Sequence, residues 1–273
     1  MSRPCLLRVP DQRGPALFLS IAFLFLSTVD SFAAQQDVTF NKPVPAPYLR
    51  SRMVDYRLPS CAEKFFVWVP QDFNNSQRYG LIVYISPDQQ SSLPPGWDSV
   101  LSRRKYLFVS PHNAGNSCEN HRRRGLAVLG ALQMKQNYRI DDNRVFVAGL
   151  SGGARTASAL GFYQTDLFKG TIQDCGADFY RAVQHRSSND WTDSCGNPYG
   201  VIQVSPDEIA RAKSVKFCLI TGPGDFRRGN LQDIYSDGFA REGFRCRLFD
   251  VPAMGHQDCD ANTLSQVLDF LER

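Results

Sequence analysis

Ser151 stands in a pattern of residues that could make its hydroxyl group a nucleophile. The run Arg144-Val-Phe-Val-Ala is mostly apolar and β-branched, and it stops at Gly149. Ser151 follows two residues later, and then come Gly152, Gly153 and a helix-forming segment. This order predicts a strand, a sharp turn with the serine at its apex, and a helix. Developing negative charge is favoured at such a helix N-terminus.

A serine becomes reactive when a histidine accepts its proton and a carboxylate orients that histidine. Gly-x-Ser-x-Gly between a strand and a helix is typical of the nucleophile elbow of α/β-hydrolases, whose chain order is serine, acid, histidine. Of the four histidines, His185 and His256 follow Ser151. His256 lies between an apolar strand-like run and a last helix, whereas His185 lies in a polar stretch. We therefore expect His256 to be the base and His185 to be a solvated surface residue.

The acid should follow the strand that precedes the one leading to the histidine. Lys216–Gly222 has the composition of a strand, and Asp225 lies in the Pro-Gly-Asp-Phe turn after it. Asp233 and Asp250 fall in the next helix and in the last strand, so both are less well placed. We expect Asp225 to be the acid; the alternative is a turn aspartate bonded to its own backbone.

Acyl transfer also requires donors for the oxyanion of the tetrahedral intermediate. The N–H of Gly152, directly after the nucleophile, is expected to be one donor. The other should come from the loop after the strand that ends in Ser86-Pro87-Asp88. Since proline has no N–H, we expect Asp88 to be the second donor, with Ser86 or a neighbour as alternatives.

Residues 1–33 have the features of a secretory signal peptide. Three arginines are followed by the apolar run Ala16–Val29 and by small residues at 31–34. The run is short for a membrane span, and an uncleaved anchor is the alternative. We expect a secreted or periplasmic protein with no stable membrane span after cleavage.

The remainder divides into a proline-rich extended leader, 34–50, and one domain, 51–273. Strand-like and helix-like segments alternate through that domain, which predicts an α/β fold with a mostly parallel sheet and helices on both faces. Residues 177–213 interrupt the alternation. We expect them to form a lid or pocket wall, or else an ordinary crossover with one helix at about 206–213.

Three aromatic residues in the segment 177–213 are expected to line the substrate pocket: Phe179, Tyr180 and Trp191. The segment starts at the carboxyl edge of the sheet, where ligands bind in open α/β folds. Pockets of this kind are lined mainly by apolar and aromatic groups.

Seven cysteines remain after the signal peptide, and export favours disulfides. Connectivity does not follow from spacing; we expect Cys175 with Cys195 and Cys61 with Cys118 as pairs, and Cys218 as the odd thiol. No Cys-x-x-Cys or His-x-x-x-His spacing indicates a metal site, and no cofactor motif is found.

The formal net charge is +4. Basic residues cluster at Arg103–Lys105, Arg122–Arg124 and Arg227–Arg228 without any nucleic-acid-binding motif. We expect these clusters to be solvated edges rather than a polyanion site, and nucleic acid not to be a partner.

Taken together, the motifs resemble those of secreted α/β-hydrolase esterases, such as polyhydroxybutyrate-depolymerase-like and feruloyl-esterase-like proteins. The resemblance covers roughly 60–272 and is carried by the segments 141–153, 221–226 and 251–256. It implies that Ser151 is nucleophile, Asp225 acid and His256 base. The chain departs from many relatives at Ser86-Pro87, where they carry His-Gly.

The expected function is an exported serine hydrolase that cleaves a small-molecule or oligomeric ester through an acyl-enzyme on Ser151. Two alternatives remain open. The first is a serine peptidase of the same fold, since the same three residues can cleave amides. The second is a binding protein of this fold that has lost catalysis, against which the three filled positions argue.

Overall fold

The computed structural model describes residues 34–40, 63–183 and 201–273. Eight strands form one sheet in the order β1-β2-β4-β3-β5-β6-β7-β8. The strands are β1 Ala34–Phe40, β2 Glu63–Val69, β3 Tyr79–Ile85, β4 Tyr106–Pro111, β5 Ile140–Leu150, β6 Gly170–Asp174, β7 Lys216–Thr221 and β8 Arg245–Asp250. The helices are α1 Trp97–Arg104, α2 Asn120–Asn137, α3 Gly152–Tyr163, α4 Pro206–Ala212, α5 Arg228–Asp233, which continues as a π-helical segment Ile234–Ala240, and α6 Ala261–Glu272.

The sheet is mostly parallel, as the alternation of strand-like and helix-like segments predicts. β1 and β2 are antiparallel to their neighbours, and the six strands from β4 across to β8 run parallel. Four of the parallel strands, β3, β4, β6 and β7, are buried along their whole length. Helices cover both faces of such strands, which explains their continuous apolar runs.

The side chains of β3 show how the core divides between the two faces of the sheet. Leu81, Val83 and Ile85 belong to one buried cluster, which includes apolar residues of α2. Ile82 and Tyr84 belong to the other, which includes residues of α1 and α6. This alternation follows from the period of two in a strand. The parallel strands are thereby held between two helical layers, and their carboxyl ends lie at a common edge.

The expected leader is partly regular structure. Residues 34–40 form β1, which pairs antiparallel with β2 along its whole length. Most β1 side chains are exposed, but Phe40 is buried against Phe65, with ring centroids 4.8 Å apart. Backbone pairing with the edge of the sheet, rather than an apolar pattern, accounts for this strand. Residues 1–33, where we expect a signal peptide, and residues 41–62 lie outside the described residues.

The described part of the segment 177–213 contains the helix expected at its end. α4 begins after Ser205, whose side chain accepts from the N–H of Glu208 while the Glu208 carboxylate accepts from the Ser205 N–H. This reciprocal capping box explains where the helix starts. His185 and Trp191 lie in 184–200, outside the described ranges.

Neither expected disulfide is present. Cys118 and Cys175 are free thiols, as are Cys218 and two further cysteines of the described residues, Cys246 and Cys259. The expected partners, Cys61 and Cys195, lie in parts of the chain that the structure does not describe. The described helices include none that is both long and apolar enough to cross a membrane.

Candidate active site

Ser151 adopts the strained backbone of a tight strand-to-helix turn. It lies between β5 and α3 with φ 56° and ψ −116°, a conformation that non-glycine residues rarely adopt. Its N–H donates to the carbonyl oxygen of Asp174 at 2.8 Å, which fixes the turn against the end of β6. A Cβ atom at Gly149 would lie 2.5 Å from the backbone of Gly153, and one at Gly153 would collide with the Ile85 carbonyl oxygen. These two glycines therefore let α3 pass close to β5 and β3.

Asp225 and His256 are in direct contact. His256 Nδ1 lies 2.7 Å from Asp225 Oδ1, and the Asp225 side chain is completely buried. The Thr221 hydroxyl donates to Asp225 Oδ2 at 2.7 Å, and the Arg227 N–H donates to Oδ1 at 3.0 Å. Three donors thus hold one buried carboxylate, which can orient the imidazole and stabilise its protonated form.

The loop that carries His256 is braced from two sides. The Gly224 N–H donates to the Met254 carbonyl oxygen at 2.9 Å, which ties the acid loop to the histidine loop. The Cys175 thiol, at the end of β6, lies 3.4 Å from the carbonyl oxygens of both Gly255 and Gln257. Burial and the nearby carboxylate of Asp225 raise the pKa of the Cys175 thiol. Cys175 is therefore a neutral packing group here rather than half of a disulfide.

Phe226 covers one face of the histidine. Its ring stacks on the imidazole of His256 with the centroids 4.1 Å apart and the planes 28° from parallel. The Phe226 side chain is also 52% exposed, so its outer part is open to solvent beside the site. The sequence indicates the turn that contains Phe226 but assigns this residue no role.

One group of described residues, Cys175, Asp225 and His256, has ligand atoms within 4.8 Å of one another, close enough to share a metal ion. The bond between His256 Nδ1 and Asp225 Oδ1 already uses one atom of each. The arrangement therefore fits proton transfer through the outer imidazole nitrogen.

One of the two expected oxyanion donors is placed differently from the sequence expectation. Gly152 is the first residue of α3, so its N–H points out of the helix N-terminus as expected. The N–H of Asp88, by contrast, donates to the Ser86 hydroxyl at 3.0 Å. Asp88 is therefore not suited to be the second donor. The Asn116 side chain lies beside Gly152, since a Cβ atom at Gly152 would collide with Asn116 Oδ1.

Arg123 joins the loops around Gly152, and its type and position in the sequence do not indicate this role. Its guanidinium donates to three backbone carbonyl oxygens, those of Ala114 at 2.7 Å, Gly152 at 3.0 Å and Ser86 at 3.3 Å. The residue is only 3% exposed. Arg123 therefore holds the end of β3, the loop after β4 and the first turn of α3 together.

We expect Arg123→Met to lower both stability and turnover. The buried carbonyl groups of Ala114 and Ser86 would lose this donor, and that of Gly152 would keep the Thr156 hydroxyl, so the free energy of unfolding should fall by about 2–4 kcal/mol. Loosening the loops around Gly152 should lower kcat by roughly 10- to 100-fold, with KM changing less. Chemical denaturation and ester-hydrolysis kinetics measure the two effects.

Arg122→Met is the matched control for Arg123→Met. Arg122 precedes Arg123 on α2 but forms a bidentate ion pair with Glu63, at 2.8 and 2.7 Å. Its loss should reduce stability while leaving kcat within about twofold, because its ion pair lies away from the elbow. Equal losses of kcat in the two variants would show that Arg123 has no specific positioning role.

A cavity of about 340 Å³ opens beside Ser151 and Gly152. Its described wall is polar, with residues of α2, α3 and the loops before them. Neither Phe179 nor Tyr180 is part of this wall, so the expected pocket role of these two rings is wrong. Phe179 is 1% exposed and packs within a core cluster of aromatic rings, and the Tyr180 hydroxyl donates to Glu242 at 2.6 Å. These two rings therefore pack the segment against the body of the protein.

The basic cluster Arg122–Arg124 is not a solvated edge either. Arg123 and Arg124 are 3% and 8% exposed, and both line the cavity. A run of three arginines at the start of a helix places some of them against the body of the protein, because successive side chains point 100° apart around the helix. Their aliphatic parts can then be buried while the charged ends reach the cavity wall.

Two carboxyl groups beneath the site, one fully buried and one half-buried, have raised pKa values. Asp174 ends β6 and is fully buried, and burial together with the charge of Asp258 raises its pKa well above the usual value. Burial also raises the pKa of Asp258 to about 6, although the Tyr84 hydroxyl, which donates to Asp258 Oδ1 at 2.7 Å, lowers it. The folded protein therefore binds protons here that the unfolded chain has already released.

This proton uptake predicts how stability depends on pH. Because both folded-state pKa values are raised, stability should fall as the pH rises from about 4, where unfolded carboxylates titrate, through the folded pKa of about 6 for Asp258. Asp258→Asn removes one of the two charges. The melting temperature of this variant minus that of the unsubstituted protein should therefore increase from pH 5 to pH 8.

Asp72→Asn, at an exposed turn, is the control for Asp258→Asn. Its melting temperature should follow that of the unsubstituted protein across the same pH range, since an exposed carboxylate is solvated in both states. A constant difference between Asp258→Asn and the unsubstituted protein from pH 5 to pH 8 would contradict the raised pKa.

Comparison with solved structures gives matches that cover most of the chain. A ferulic acid esterase matches with a TM-score of 0.59 at 17% identity, over 88% of this chain and 97% of that one. FphF, a fluorophosphonate-binding serine hydrolase of Staphylococcus aureus, matches with a TM-score of 0.58 at 14% identity, over 88% and 99%. A putative dipeptidyl aminopeptidase IV from Bacteroides ovatus matches with a TM-score of 0.59 at 14% identity, over 89% of this chain but 36% of that one.

No protein-family model and no curated protein matches the chain. The structural likeness, together with the order of strands and helices, shows that the chain has the α/β-hydrolase fold. The serine, acid and histidine predicted from the sequence follow β5, β7 and β8, at the carboxyl edge of that sheet.

Proposed function

We propose that the protein is an exported serine hydrolase that cleaves carboxylic esters through an acyl-enzyme on Ser151. The observation that carries this proposal is the 2.7 Å contact between His256 Nδ1 and the buried carboxylate of Asp225. It occurs at the same sheet edge as a serine held in a strained elbow. Structural likeness to esterases and serine hydrolases supports it.

In this proposal, His256 accepts the proton of the Ser151 hydroxyl as Oγ attacks the ester carbonyl carbon. Asp225 holds the imidazole in the tautomer whose outer nitrogen is free to accept, and then stabilises the imidazolium. The Gly152 N–H stabilises the oxyanion, and the NH₂ group of Asn116, whose side chain lines the same cavity, is the second donor in this proposal. His256 returns the proton to the leaving alcohol, and the same steps with water in place of serine release the acid.

One comparison of substrates tests this function. The purified protein should hydrolyse 4-nitrophenyl acetate with saturation kinetics and should cleave alanine 4-nitroanilide far more slowly. Faster cleavage of the anilide would favour a serine peptidase. The structural match to a putative dipeptidyl aminopeptidase IV is the observation that supports this alternative. No turnover of either substrate above a heat-denatured control would favour a binding protein that has lost catalysis.

A further inference from the structure

The described wall of the cavity beside Ser151 is rich in charge, and positive charge predominates. Its charged residues are Arg123, Arg124, Arg155 and Arg227 and the acids Glu119 and Asp178. Four positive and two negative groups give this wall a formal charge of +2. A concave wall of one predominant sign concentrates ions of the opposite sign beside the reactive serine.

The arginines of this wall repel one another, and the burial of Arg123 adds a desolvation penalty. Burial, together with the charges of Arg155 and Arg124, lowers the pKa of Arg123 to about 10. The carbonyl groups that Arg123 contacts carry no formal charge. Asp178 pairs with Arg155, whose Nε lies 2.5 Å from Asp178 Oδ1. An anion in the cavity would reduce both the repulsion and the desolvation cost.

Two helices also direct their N-termini to this cavity. α2 starts at Asn120 and α3 at Gly152, and both residues are part of the wall. The helices are 18 and 12 residues long, and no side chain caps either N-terminus by a hydrogen bond. The positive ends of the helix dipoles thus add to the charge of the arginines, which is the arrangement that binds anionic oxygens.

We propose that the preferred substrates are esters that carry a carboxylate, on the acyl or the alcohol part, a few bonds from the scissile carbonyl. This inference rests on the proposed function, because the cavity adjoins Ser151. Guanidinium groups match the two oxygens of a carboxylate by paired hydrogen bonds. A volume of about 340 Å³ with polar walls fits a compact charged group better than a long apolar chain.

Two matched pairs of esters test the proposal. 4-Nitrophenyl hydrogen adipate and its methyl ester differ by one charge on the acyl part, and 3-acetoxybenzoate and its methyl ester differ by one charge on the alcohol part. For one pair at least, kcat/KM of the anionic ester should exceed that of the neutral ester by about tenfold at low ionic strength. That ratio should fall as salt is added, because screening shortens the reach of the charges.

Variants of opposite sign sharpen the test. Arg227→Gln should lower the ratio of anionic to neutral kcat/KM by about threefold, and Glu119→Gln should raise it by a similar factor. Both side chains are partly or fully exposed, so the fold should tolerate the changes. Arg139→Gln removes the same charge at a second cavity, at the start of β5, and should leave the ratio unchanged.

Each outcome bears on one of the two proposals. A protein that cleaves the neutral esters but shows no preference for the anionic member of either pair would overturn the carboxylate proposal and leave the esterase standing. If no ester is cleaved, the proposed esterase activity is wrong. Calorimetric titration of Ser151→Ala with 3-acetoxybenzoate then tests whether the cavity binds carboxylates. If 3-acetoxybenzoate binds more tightly than its methyl ester, and Arg227→Gln weakens that binding, the cavity is an anion site. Equal binding of the two compounds would overturn the proposal.

Discussion

Replacing Ser151 with alanine should abolish ester hydrolysis while leaving the protein folded. The substitution removes the hydroxyl that we propose as the nucleophile, and kcat/KM should fall by about 10⁴- to 10⁶-fold. The hydrogen bond that fixes the turn comes from the backbone N–H of Ser151 to Asp174, and alanine retains it. Initial rates with 4-nitrophenyl acetate measure the loss, and circular dichroism checks the fold.

The reading of Ser151 depends on both measurements together. A variant with an unchanged spectrum that kept more than about a tenth of kcat/KM would show that another group attacks the ester. Labelling the unsubstituted protein with a fluorophosphonate and locating the adduct by mass spectrometry gives an independent check, because the adduct should lie on Ser151.

Asp225→Asn should lower kcat by about 10²- to 10⁴-fold. The amide cannot accept the Nδ1–H of His256 while its own NH₂ faces that nitrogen, so the imidazole adopts the tautomer whose outer nitrogen carries the proton. The acid is fully buried and makes the 2.7 Å contact, so solvent cannot substitute for it. Steady-state kinetics at neutral pH, with a denaturation curve for stability, measure the effect.

Asp250→Asn makes the same chemical change at a position that lacks this contact. Asp250 pairs with Arg228 at the surface of β8, at 2.6 and 3.1 Å. Its kcat should stay within about threefold of the unsubstituted value, as surface ion pairs contribute little. If Asp250→Asn were the more damaging of the two at equal stability, Asp225 would not be the acid.

The sequence predicts the parts of this protein that follow from local pattern and chain order. The strand-turn-helix around Ser151 depends on residues within a dozen positions of one another. Asp225 and His256 could be chosen because they follow successive strands, and the carboxyl ends of parallel strands share an edge. The contact between them agrees with that choice.

What could not be predicted depends on contacts between distant segments. Phe179 and Tyr180 have the composition of a pocket wall, but Phe179 lies in the core against Phe239 and Phe244, and Tyr180 packs against Phe179 at the edge of that cluster. Arg123 belongs to a basic run of the kind that is usually solvated, but it is buried because it donates to three carbonyl groups from separate parts of the chain. The periodicity of apolar residues along the chain does not indicate which distant residues will be in contact.

Because Phe226 stacks on His256, the protonation of this histidine can be followed by NMR spectroscopy without any substrate. An aromatic ring shields protons that lie over its face, and the two rings are stacked with centroids 4.1 Å apart. The imidazole C–H signals of His256 should therefore be shifted upfield in a proton NMR spectrum, apart from those of the other three histidines. Following that resolved signal during an acid titration would report the protonation state of a single side chain, because imidazole chemical shifts change when the ring gains a proton.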